Sequence, residues 1–154
     1  MVKSVSVYLD TSALFAGIWS SEGGARMILK LGEAGAIQIT ISSQVLREIE
    51  NALRKKAPQA LGALALTLDR CNAINLPEPS QELVDECNQF VHHPGDAIVL
   101  AAAWKSEADY FITLDRRHFI ENKALREAAH FYIGTPGDFL DWFRGLLISA
   151  DRNN

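Results

Sequence analysis

Val5-Ser6-Val7-Tyr8-Leu9-Asp10-Thr11-Ser12 reads as a strand that ends on an acid and passes straight into a helix. Its residues are apolar or β-branched on both faces, the pattern of a parallel strand buried on both sides of a sheet. Thr11 and Ser12 offer caps for a short helix over 12–17. The arrangement recurs down the chain. Residues 37–41 predict a second strand, followed by Ser42 and Ser43 as caps for a helix over 44–56 with Val45, Leu46, Ile49 and Leu53 on its apolar stripe. Residues 110–114 predict a third strand, ending at Asp115, and 131–133 a fourth; 73–76 predict a short edge strand. Helices are expected over 25–34 (Met27, Ile28 and Leu31 inward), 59–71, 80–92, 97–107 and 125–129. A last helix over 136–149 starts at Thr135-Pro136-Gly137-Asp138, a cap, an N1 proline and an N3 acid. Asp96, after the Pro94-Gly95 turn, is expected to open its helix as an N-cap. Strands alternating with helices imply a three-layer α/β fold with a mainly parallel central sheet flanked by helices.

The chain has 154 residues, enough for one domain with a proper core, and one domain over 1–150 with a flexible tail at 151–154 is expected. The net charge is −4, which argues against non-specific coating of nucleic acid and leaves room for a local basic patch or a bound metal. Cys71 and Cys87 have no zinc spacing and are read as helix or core thiols. Met1-Val2-Lys3-Ser4 has no signal-peptide pattern and no apolar run reaches membrane-spanning length, so a cytoplasmic location and no membrane partner are expected.

Ligands of such sheets bind beyond the carboxyl ends of the strands. Asp10 and Asp115 lie at those ends. Glu48 lies about two turns into a helix that starts at the same edge, and Asp96 begins another helix. Each acid has an ordinary explanation: Asp10 and Asp96 as caps, Glu48 as a solvated side chain, Asp115 as part of a turn. Together they describe a carboxylate pocket, and such a pocket matches one or two Mg²⁺ or Mn²⁺ ions acting on a phosphodiester.

These residues resemble the PIN-domain ribonucleases, most closely the toxin components of toxin–antitoxin pairs. The resemblance rests on Tyr8-Leu9-Asp10-Thr11-Ser12-Ala13, Val45-Leu46-Arg47-Glu48-Ile49, Asp96-Ala97-Ile98-Val99-Leu100-Ala101 and Ile112-Thr113-Leu114-Asp115-Arg116-Arg117-His118-Phe119. It implies a metal-dependent endoribonuclease whose acidic set is Asp10, Glu48, Asp96 and Asp115, serving as catalytic residues and metal ligands. It implies that Thr11 or Ser12, and Thr113, orient the carboxylates or water. It further implies an RNA substrate and a small antitoxin partner. Where some members carry a further acid, this chain has Arg116, Arg117 and His118.

Arg116 and Arg117 are candidates for RNA backbone contact, and His118 for a general acid or a loop hydrogen bond. Arg47, Arg54, Lys55 and Lys56 read as a solvated helix face. His92 and His93 read as complements to a helix C-terminus. Trp19, Trp104 and Trp142 are expected in the core or at a homodimer interface, and Ile18-Trp19 before Gly23-Gly24 is a candidate partner-binding segment. The rival function is a non-catalytic RNA- or protein-binding module. A haloacid-dehalogenase-like phosphatase is disfavoured because Ser12 stands where a second acid is needed. A receiver domain is disfavoured because paired acids after the first strand and a lysine ending a late strand are missing.

Overall fold

A computed structural model describes residues 4–153. Five strands form one parallel sheet: β1 (Ser6–Leu9), β2 (Gln38–Ser42), β3 (Ile74–Leu76), β4 (Tyr110–Ile112) and β5 (Tyr132–Gly134), in the order β3-β2-β1-β4-β5. Helices α1 (Thr11–Trp19), α2 (Gly24–Glu33), α3 (Ser43–Lys56), α4 (Leu61–Arg70), α5 (Gln81–Cys87), α6 (Pro94–Lys105), α7 (Lys123–Ala128) and α8 (Pro136–Arg152) flank it. This is the three-layer α/β arrangement expected from the alternating pattern. The strand with which the reading began is central. β1 pairs with β2 through Val7 opposite Ile39, and with β4 through Tyr8 opposite Phe111. Buried on both faces, Val7, Tyr8 and Leu9 sit in the core with Ile39, Ile41, Phe111 and Ile112.

Local chemistry sets the helix starts. Asp10, Ser42, Ser80, Asn122 and Thr135 each accept a hydrogen bond from a first-turn backbone N–H, and Thr135 with Asp138 forms a reciprocal capping box. Several expectations need correction. The helix expected over 80–92 stops at Cys87, and His93 instead occupies the N-cap position of α6, so the histidines do not sit on a helix C-terminus. α2 turns Ile28, Leu29 and Gly32 inward, while Met27 is exposed. α8 continues through Arg152, so Asp151 and Arg152 are helical; what the sequence leads one to expect of Met1 to Lys3 and of Asn154 lies outside the described residues. Residues 116–120, read as loop, form one π-helical turn. Both cysteines are buried and free, as expected of core thiols. Trp104 packs among Phe90, His130 and Phe131 and Trp142 among Tyr110, Tyr132 and Phe139, whereas Trp19 is exposed.

Tyr8 ties the sheet to α6. Its buried hydroxyl donates to the Val99 carbonyl at 3.0 Å and accepts from the Ser42 hydroxyl at 2.9 Å. Tyr8→Phe leaves the buried Ser42 hydroxyl proton without this acceptor and takes one donor from the Val99 carbonyl, and a loss of about 1–2 kcal/mol is expected in urea unfolding. An unchanged midpoint would mean that these bonds contribute nothing net.

Candidate active site

All strands run the same way, so their carboxyl ends share one edge. β1 delivers Asp10 there and β4 delivers Thr113 and Asp115. α3, which leaves β2, carries Glu48 up its first turns. α6 precedes β4 and runs in the opposite sense, starting at the carboxyl edge and descending before the chain returns. That direction answers how Asp96, on a helix not preceded by a sheet strand, reaches the same place. Asp10, Glu48, Asp96 and Asp115 line one cleft of about 470 Å³, together with Thr11 and Ser12. Its other wall is apolar, built by Phe15, Ala52, Val99, Leu114 and Phe119.

Hydroxyls hold the carboxylates. Asp10 Oδ1 accepts from Ser12 Oγ at 2.7 Å and from the Ala13 N–H at 3.0 Å. Asp10 Oδ2 accepts from Thr113 Oγ1 at 2.5 Å, and Thr113 Oγ1 in turn accepts from the Asp115 N–H at 3.0 Å. Glu48 Oε1 accepts from Thr11 Oγ1 at 2.6 Å and its Oε2 from Gln44 Nε2 at 3.2 Å. A Cβ at Gly95 would lie 3.2 Å from Glu48 Oε2, so a glycine there lets the start of α6 come close to α3. Asp10 is at once an N-cap and a cleft acid; the two readings weighed for it coexist. Asp96 is not an N-cap. It stands third in α6 behind His93 and Pro94, and its half-buried carboxylate accepts no hydrogen bond among the described residues.

Like charges gathered out of water oppose ionisation. Burial pushes the Asp10 carboxyl up to about 6 against three hydrogen bonds that favour the anion, and the charge of Asp115 adds to the rise. Asp96 is also raised, first by burial, then by Asp115 and Glu48, with His93 and His118 opposing.

The π-helical turn brings a further residue, His118, against two of the cleft acids. Asp115 Oδ1 accepts from the His118 N–H at 3.0 Å, and His118 Nδ1 lies 2.8 Å from Asp115 Oδ2 and 4.0 Å from Asp96 Oδ2. One ligand atom from each of Asp96, Asp115 and His118 falls within 4.8 Å of the others. A carboxylate that lacks a donor, beside a second carboxylate and an imidazole, is a donor set that fits a divalent cation. The spacing of three from Asp115 to His118 was the available signal.

Arg116 and Arg117 do not line the acidic cleft. Arg116 faces a groove with Ala16, Gly23 and Thr135, and Arg117 faces a separate pocket with His92, His93 and His118. Lys56, read as solvated charge, does line the cleft, with its ammonium 5.6 Å from the centre of the Phe15 ring. Arg47 pairs with Glu78 and Arg54 with Glu50.

The family model described as PIN domain matches residues 6–117. No curated protein matches the sequence. Among solved structures the chain is similar to VapBC2 of Rickettsia felis bound to a promoter DNA fragment, at 17% identity, TM-score 0.61, covering 85% of this chain and 98% of that one. It is similar to DNA-bound VapBC of Salmonella typhimurium, at 15% identity, TM-score 0.63, covering 86% and 98%. It is also similar to VapC20 of Mycobacterium tuberculosis, a toxin that cleaves the sarcin-ricin loop, at 15% identity, TM-score 0.55, covering 73% and 92%. At these identities the likeness is one of fold.

Proposed function

The chain belongs to the PIN-domain family, and on that premise we propose that it is a metal-dependent endoribonuclease, the toxin of a toxin–antitoxin pair. The observation that carries the reading is the gathering of Asp10, Glu48, Asp96 and Asp115 around one cleft at the carboxyl edge of the sheet. Those acids are its proposed catalytic and metal-holding residues, with Mg²⁺ or Mn²⁺ as the cofactor. The chemistry such an ion supplies is activation of a water and neutralisation of charge on the phosphodiester. The chain's own residues do the rest. Ser12 and Thr113 fix Asp10, and Thr11 fixes Glu48, so the negative field is set before substrate arrives. Phe15, Val99, Leu114 and Phe119 give one side of the cleft an apolar lining, which lowers the local polarity beside the acids. Arg116 and Arg117, exposed directly after Asp115 and facing two different grooves, are proposed to hold flanking phosphates of the RNA.

A protein partner fits the same cleft. A small antitoxin that sets a basic side chain among the acids and apolar groups against Phe15 and Leu114 would block it. VapBC complexes among the similar folds support such a partner. A homodimer acting in the cytoplasm belongs to the same reading, supported by exposed Tyr132, Leu146, Leu147 and Ile148. No helix of the described residues is long and apolar enough to cross a membrane.

Purified chain is expected to cleave RNA with Mg²⁺ or Mn²⁺ and to stop in excess chelator. Expressed alone it should arrest growth, and co-expression with its partner should restore growth. Cleavage that persists in chelator, or growth that is unaffected, would remove the corresponding half of the proposal.

A further inference from the structure

The turn after β4 curls His118 back onto the carboxylate that begins it. Asp115 Oδ1 anchors the His118 N–H at 3.0 Å, and Asn122 Nδ2 donates to the His118 carbonyl at 3.0 Å and to the Phe90 carbonyl at 2.8 Å. The backbone at 118 is therefore held from both sides, and the ring lies against the cleft acids Asp115 and Asp96 from the side of a neighbouring pocket that it lines with His92, His93 and Arg117. Its Nδ1 is 2.8 Å from Asp115 Oδ2 and 4.0 Å from Asp96 Oδ2. Neighbouring ligands of a six-coordinate ion with bonds of about 2.1 Å lie roughly 3 Å apart, and opposite ligands slightly over 4 Å apart. The two separations already span that range.

The other acids are less free. Asp10 uses both oxygens for three protein donors, and each oxygen of Glu48 already accepts one. Asp96 accepts none among the described residues, and Asp115 Oδ2 meets only the imidazole. Asp96 is thus open, and an ion that takes the place of the proton between Asp115 Oδ2 and His118 Nδ1 would find both of those atoms beside it. Carboxylates alone suit Mg²⁺, while an imidazole nitrogen shifts a site towards transition metals.

We propose that His118 Nδ1 is a direct ligand of the divalent cation, forming with Asp96 and Asp115 a mixed nitrogen–oxygen set that selects Mn²⁺ over Mg²⁺. The proposal rests on the metal-dependent reading of the same cleft. The competing role is a ring that merely pairs with Asp115 and swings out when the ion enters.

Metal binding without RNA separates the two. Full-length wild type, His118→Ala and His118→Asp are titrated calorimetrically with Mn²⁺ alone and with Mg²⁺ alone. The Mn²⁺-loaded proteins are then examined by pulsed electron paramagnetic resonance for coupling to an imidazole nitrogen. Melting curves check that each variant is folded. Wild type should show the nitrogen coupling, and both variants should lose it. His118→Ala should bind Mn²⁺ at least about tenfold more weakly, a loss on the scale seen when a metal site's supporting residues are removed. His118→Asp restores an all-oxygen set, so it should recover binding while its Mn²⁺-to-Mg²⁺ preference falls about tenfold. Mn²⁺ bound by wild type without the coupling, a coupling that survives in His118→Ala, or equal preferences in wild type and His118→Asp would overturn the assignment. Failure of wild type to bind Mn²⁺ at all would sink the metal reading itself, and this proposal with it.

Discussion

Asp96→Asn is expected to lose RNA cleavage by about a thousandfold while remaining folded. The carboxylate accepts no hydrogen bond among the described residues, so the amide replaces it without breaking one. What disappears is a negative charge facing Asp115, Glu48 and the start of α6. Preorganised charge at a phosphoryl centre is worth on the order of a hundredfold to a thousandfold in rate, and removing a cation's ligand also costs occupancy. Cleavage of a short fluorogenic RNA, measured as kcat/KM at saturating Mn²⁺, is the readout. Arg54→Ala is the matched control, because Arg54 lies on exposed α3 surface beside Glu50, outside the cleft. Asp96→Asn protein, free of contaminating nuclease, that keeps a tenth of wild-type turnover would show that the cleft is not the cutting site.

The second large effect is thermodynamic. Asp10 is buried, and its carboxyl is raised from the ordinary 3.8 to about 6 in the folded chain. At 1.36 kcal/mol for each pH unit, ionising it in the folded protein costs about 3 kcal/mol. The folded pKa lies above the unfolded one, so this stabilisation is complete below about pH 4 and lost as pH rises through about 6. Without metal, wild type should fall by about 3 kcal/mol relative to Asp10→Asn between pH 4 and pH 7. For a chain of this size each kcal/mol shifts the melting temperature by about 2–4 °C. The comparison concerns slope, so the altered hydrogen bond to Thr113 in the variant moves the whole curve without creating the trend. At pH 7 a metal in hundredfold excess over its dissociation constant should return about 2.7 kcal/mol to wild type, and the variant should gain much less. A pH-independent difference between the two proteins would mean that Asp10 ionises as an exposed acid does.

Much of this was legible beforehand. Residues buried on both faces, such as Val7, Tyr8 and Leu9, announce a parallel strand, and a parallel sheet fixes which strand ends lie together. That logic brought Asp10, Glu48 and Asp115 to one edge from composition and order alone. Asp96 needed three-dimensional information, because a helix that starts after an irregular stretch gives no sign of its direction. The π-helical turn was hidden for another reason. Its hydrogen bonds, from Ile120 N–H to the Asp115 carbonyl and from Glu121 N–H to the Arg116 carbonyl, have a spacing that no hydrophobic period marks. His118 was therefore noticed as a residue without being placed against Asp96. The apolar wall was missed because Phe15 and Leu114 look like core by type, and only the packing shows them facing an opening.

The central position of β1 has a consequence for synthesis. A ribosome releases Asp10 early, and β2 soon afterwards offers it one neighbour. Its other neighbour, β4, and the Thr113 hydroxyl that grips Asp10 across a separation of 103 residues emerge far later. Until then Asp10 has lost one of its three donors, and the far rim of the cleft does not exist. A half-translated chain therefore lacks the proposed site, and a transcript cut short before the codon for Thr113 yields a product without Asp115 and without the hydroxyl that holds Asp10. On the proposed toxin reading, danger to the host is confined to copies that have passed Thr113, and only those are targets for a neutralising partner.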